Sequence, residues 1–151
     1  MIAYLLILSM GFPPANEVEA LREQYLSAAL DKSRIEDLAE SCATLKNPNA
    51  VVSRGYCTMI HFLEAKNAFN PYRKFAEFNT GKRLLDSLIQ IQPKNIELRY
   101  LRHTIQDRVP GFLGYNENMK EDEEYMQVNL PAINDSSTYH LIYNYLNNRN
   151  R

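Results

Sequence analysis

At 151 residues the chain is most simply one domain, long enough to bury about 70% of the surface its unfolded form exposes, so it needs neither a metal nor a disulfide to hold a core. An apolar share of 45%, a charged share of 23%, and only 5 Gly and 7 Pro exclude a disordered or fibrous protein. Its 17 basic and 18 acidic residues leave a formal charge of -1, which removes the electrostatic case for nucleic acid, since a phosphate-binding surface needs an excess of Lys and Arg.

Residues 1-15 contain the apolar run Met1 to Phe12, followed by Pro13-Pro14. About eleven helical residues reach only half of a ~30 Å hydrocarbon core, so the run is no stable transmembrane span. Its length suits the apolar region of a secretory signal, with Ser9, Gly11 and Ala15 as small residues near a cleavage point, although no Lys or Arg precedes it. Residues 1-15 are therefore a candidate signal peptide and 16-151 a single helical domain, with a periplasmic or secreted location expected. The alternative is a cytoplasmic protein that keeps the run as its first core helix. Cys42 and Cys57 permit a bridge in an exported protein. Cys42, however, falls at the core spacing of its helix, and a free thiol packs as a small apolar group, so two reduced buried thiols are expected.

Val18, Leu21, Tyr25 and Ala28 stand at i, i+3, i+7 and i+10, one stripe of a helix over 17-32. Asn16 suits its N-cap, and Glu17 and Glu19 its first turn. A second helix starts at Asp31 or Ser33, turns Ile35, Leu38, Ala39, Cys42 and Leu45 inward, and stops at Asn47-Pro48-Asn49. A third opens near Ala50 with Val52, Tyr56, Met59, Ile60 and Leu63 inward. Links this short leave only antiparallel neighbours.

Asn70-Pro71 breaks the pattern, and a fourth helix runs from about Tyr72 to Ile91 with Phe75, Phe78, Leu85, Leu88 and Ile89 inward. Gly81 in its interior costs about 1 kcal/mol relative to Ala, which implies close approach by a neighbouring helix. After the hinge Gln92-Pro93-Lys94-Asn95, a fifth helix reaches Arg108, with Leu98, Leu101 and Ile105 on its inner face and Arg99, Arg102 and Gln106 displaced toward solvent. Val109 to Asn116 is a constrained loop with three large apolar side chains, because Pro110 lacks a backbone donor and Gly111 and Gly114 permit left-handed turns. A sixth helix over 118-130 begins with the acidic run Glu121 to Glu124 and ends or bends at Pro131. Asp135 to Thr138 cap a last helix with Tyr139, Ile142, Tyr143 and Leu146 inward, fraying from Asn147. No alternating strand pattern of useful length occurs. The chain reads as all-α, built of antiparallel helical hairpins with about seven helices.

Gly81, Leu85, Leu88 and Pro93 place a small residue, two large apolar ones and a proline past the helix end. In this the segment resembles the second helix and exit turn of a tetratricopeptide repeat. Ala65, Ala68 and Phe69 depart from that repeat's first helix, and no second copy occurs at a 34-residue period. The pieces Phe78-Asn79-x-Gly81-Lys82, Pro93 to Ile105 and Pro110 to Asn116 also resemble a group of small, uncharacterised proteins of the Bacteroidota. That resemblance implies the helical fold and export, and carries no catalytic residue across.

Signals for chemistry are thin. His61, His103 and His140 show no zinc-ligand spacing and no His-Glu-x-x-His arrangement. Cys57 and His61 lie one turn apart, yet a nucleophilic pair also needs an orienting group and an oxyanion donor. Gly111 and Gly114 are not followed by Lys-Ser or Lys-Thr, so they form no phosphate loop. The expectation is a non-catalytic scaffold, without cofactor or metal, that binds a peptide or protein. The 110-116 loop either plugs the hairpin stack or projects as a binding tip, and its rings Phe112 and Tyr115 are the first candidate contacts. Arg99 and Arg102, with Lys82, Arg83 and Lys94, are a candidate basic patch for an acidic partner, set against a solvated face balanced by Glu77, Asp86, Glu97 and Asp107. The alternative from another class is a small helical enzyme with His61 or His103 as base. A deep pocket holding a His and a carboxylate marks the enzyme; a shallow apolar groove marks the binder.

Overall fold

The computed structural model describes residues 16-149; the candidate signal peptide, residues 1-15, lies outside them. Seven α-helices occur among the described residues, and no strand: α1 (Glu17–Leu30), α2 (Ile35–Ala43), α3 (Val51–Asn67), α4 (Pro71–Ile91), α5 (Ile96–Gln106), α6 (Met119–Asn129) and α7 (Ser136–Arg149). None is long and apolar enough to cross a membrane.

Side-chain oxygens start the helices where the sequence places them. Asn16 accepts the Val18 N–H at 3.2 Å, Asn70 that of Tyr72 at 2.8 Å, Asn95 those of Glu97 and Leu98 at 3.1 Å, and Asp135 that of Thr138 at 2.8 Å. Pro71 occupies the first turn of α4, where its missing N–H leaves no bond unmade. The end of α2 comes earlier than expected. Thr44 turns its hydroxyl back onto the carbonyls of Glu40 and Ser41, so Leu45 packs against the core from beyond the helix.

The helices form one packed body. α3 lies along α4, with α1 and α2 against its other side, while α5 is surrounded by α3, α4, α6 and α7. Gly81 sits where expected for a close approach, since a Cβ there would lie 3.0 Å from the Phe62 ring of α3. Gly55 on α3 carries a second one, with a Cβ only 2.7 Å from Leu98 of α5. The stripes of α1, α3, α4 and α5 deliver Leu21, Tyr56, Met59, Leu85, Leu98 and Leu101 to a common core.

Several expectations require correction. Cys42 and Cys57 are bonded as a disulfide, with Cα atoms 5.7 Å apart, because the antiparallel packing of α2 on α3 brings two half-buried, inward-spaced positions face to face. Phe75 is 58% exposed, since the first turns of α4 extend past the helices that cover its later half. Tyr143 is also largely exposed and stacks on Tyr139 at 5.8 Å. α7 continues to Arg149, past Asn147 where fraying was expected to begin, and Arg149 pairs with Asp107 at 3.0 Å and Glu123 at 2.9 Å; residues 150-151 lie outside the described residues.

Candidate functional site

The loop after α5 separates the two aromatic candidates. Its 3-10 turn, Gly111–Leu113, ends at Gly114, whose φ of +62° is a left-handed conformation that glycine adopts without strain. Reversal there sends Tyr115 inward. Its ring lies parallel to Phe62 and edge-on to Phe78, its hydroxyl donates to Asp86 Oδ1 at 3.1 Å, and the Lys82 ammonium stands 5.1 Å from the ring centre. Burial, then the Asp86 carboxylate, push its phenol well above the ordinary tyrosine range. Tyr115 is thus a core residue, 3% exposed, and is withdrawn as a surface contact. Phe112 is 87% exposed. The loop plugs with one ring and projects with the other.

Arg99 and Arg102 form no solvated patch. Asp122 of α6, at the acidic helix start, is fully buried between them. Arg99 reaches it at 2.9 Å, and Arg102 grips it in a fork with bonds of 2.7 and 2.8 Å. Arg99 also donates to the Pro93 carbonyl at 2.7 Å and covers the Tyr125 ring, while Arg102 reaches Asp86 at 3.4 Å. Both arginines are withdrawn as partner contacts, because their donors are spent inside the fold. Gln106, expected beside them in solvent, is buried as well.

A second buried network was not anticipated. Arg22 of α1 donates to Glu97 of α5 at 2.7 Å and to Thr138 of α7 at 3.1 Å, and the Tyr56 hydroxyl of α3 donates to the same Glu97 oxygen at 2.6 Å. Arg22, Glu97 and Thr138 border a small polar cavity of about 210 Å³. Burial first, then Glu97, raise the Tyr56 phenol far beyond physiological pH, so it stays a donor. Four helices are joined through one charge pair. The only sequence signal was Arg22 following Leu21 on the inner side of α1.

His61 and His103 do not line this polar cavity. His61 Nδ1 is 2.7 Å from Glu77, on the half-exposed side of α3 and α4. His103 is fully buried, with Nδ1 2.7 Å from the Tyr145 hydroxyl and Nε2 3.4 Å from Arg149. Nε2 thus lies between the Arg149 guanidinium, which can only donate, and the Glu123 carboxylate at 3.7 Å, which can only accept. Burial, then Arg149, depress its pKa below the ordinary histidine value. His103 does not line either cavity described for this protein. Among the described residues no cluster of three or more His, Cys, Asp or Glu has metal-holding geometry.

The larger cavity is an apolar groove of about 570 Å³. Its floor is the core itself: Tyr25 and Ala29 of α1, Phe62, Leu63 and Ala65 of α3, Phe78 of α4 and Ile105 of α5. Phe75 and the Val109-Leu113 segment form its walls, with exposed Phe112 at one lip. The polar side chains at its mouth are cationic: Lys66, Lys74 and Arg108. Phe112 was a candidate contact from the sequence, whereas Phe75 has core spacing and the three cations belong to no motif. No protein-family model matches the chain, and no curated protein or solved structure is detectably similar to it.

Proposed function

We propose that the protein is a non-catalytic helical scaffold of tetratricopeptide-like hairpin type that binds a peptide or protein partner in the cell envelope. The observation that carries this reading is the apolar groove, which leaves Phe75 and Phe112 exposed to water at its edge. An exposed apolar cluster of this kind marks an interaction surface more often than a stabilising feature. A helix laid into such a groove would bury its apolar face there, a recurring mode of peptide recognition. The disulfide supports an oxidising location outside the cytoplasm.

Capture from an envelope fraction tests the reading. Intact protein and a Phe75→Ser/Phe112→Ser variant, both verified as folded, are compared for the proteins they retain. Loss of a reproducible partner in the variant is expected; identical retention by both refutes the groove as the binding site. Mass spectrometry of the mature N-terminus tests export separately, with cleavage near residue 15 as the expected result.

A further inference from the structure

The cations around the groove differ from the arginines held in the ion-pair networks, and no Asp or Glu lines the groove with them. Arg22, Arg99, Arg102 and Arg149 each meet a carboxylate within 3.0 Å. Among the described residues, Lys66, Lys74 and Arg108 have no carboxylate partner. Lys66 gives one bond to the Ala29 carbonyl at 2.9 Å, which leaves two ammonium hydrogens for another acceptor. In a chain whose charges nearly cancel, three unpaired cations at the mouth of one apolar groove are a local segregation of charge.

We infer that the groove takes an acidic amphipathic protein segment, whose apolar side chains enter between Phe75 and Leu113 while its carboxylates meet Lys66, Lys74 and Arg108. The inference rests on the binding reading above and adds the charge of the partner. Lys66 comes from α3, Lys74 from α4 and Arg108 from the chain after α5. Cations on three elements fit several carboxylates spaced along a segment better than the single head of an acyl chain, which would leave part of the rim unmatched. Complementary rim charge of this type sets partner choice and encounter rate more than total affinity.

The test uses fluorescence anisotropy with the full chain and two labelled helical peptides. Both carry Leu at i, i+3, i+4 and i+7; one has Glu at the flanking positions, the other Lys. The acidic peptide is expected to bind at least about tenfold more tightly, as three exposed pairs of ordinary strength would give. A Lys66→Glu/Lys74→Glu/Arg108→Glu variant, verified as folded, should reverse the order. Nuclear magnetic resonance of the Ile105, Val109 and Leu113 methyls locates the contact. If both peptides shift those methyls with equal affinity, the charge inference fails and the binding reading stands. If neither peptide moves them, both fail. Dodecanoate, or vesicles containing phosphatidylglycerol, binding there in place of the acidic peptide overturns the protein segment in favour of a lipid.

Discussion

Arg102 and Asp122 meet in a forked ion pair between α5 and α6, with Nε to Oδ2 at 2.7 Å, Nη2 to Oδ1 at 2.8 Å, and the carboxylate wholly removed from water. Arg99 reaches the same carboxylate, so Asp122 neutralises two buried cations at once. Removing it by Asp122→Ala would leave Arg99 with only the exposed Glu121 carboxylate and Arg102 with only the longer contact to Asp86, and should cost about 3 kcal/mol. Urea unfolding measures the loss. In the double variant Arg102→Met/Asp122→Leu the loss should be smaller than the sum of the single ones, because a matched apolar pair leaves fewer charges uncompensated.

The Cys42–Cys57 bond closes a loop of 15 residues in sequence separation, which limits the freedom of the unfolded chain. Replacing either cysteine with Ser should lower stability by about 2–4 kcal/mol. Reduction of the native protein should match the effect of substitution, and a midpoint unmoved by a reductant would show that the bond contributes nothing.

His103 predicts a pH dependence. Its folded pKa is depressed, by burial and by Arg149, so the folded state binds fewer protons than the unfolded one over the window between the two pKa values. The sign then follows: stability from this group is complete above the unfolded value of about 6.5 and declines as pH falls through the folded value. His103→Gln should flatten the fall of the unfolding midpoint as pH drops below about 6.5, relative to the parent protein. An equal acid slope in both proteins would assign the effect to the carboxylates.

Gly81 faces the Phe62 ring so closely that a larger side chain has no room. Gly81→Leu should destabilise by about 1–3 kcal/mol through overpacking, despite the better helix propensity of Leu. A calorimetric melting temperature at or above that of the parent would show that α3 and α4 can separate there without loss.

Phe112→Ser should behave in the opposite way. With 87% of its surface in water, Phe112 contributes little to the fold, and its replacement should change stability by less than about 0.5 kcal/mol. A large loss of stability would place the ring in the core and remove it as a binding lip.

The sequence by itself determined the helices, their starts and the need for close packing at Gly81. Asn16 and Asp135 cap as read, and Asn70 and Asn95, read only as a break and a turn, cap as well, because a side-chain oxygen satisfies an N–H two or three residues away, a purely local matter. Only the tertiary structure decided which polar faces meet water. The apolar stripe of α5 was legible, but its polar side became interior when α6 and α7 covered it, turning Arg99, Arg102 and Asp122 from expected surface charges into a buried cluster. The same holds for Cys42 beside Cys57, and for Phe75, which keeps core spacing at a place no helix covers. Periodicity reports the direction of a side chain around its own helix axis. What lies opposite depends on contacts among residues far apart in the chain, and a single sequence carries no local mark of them.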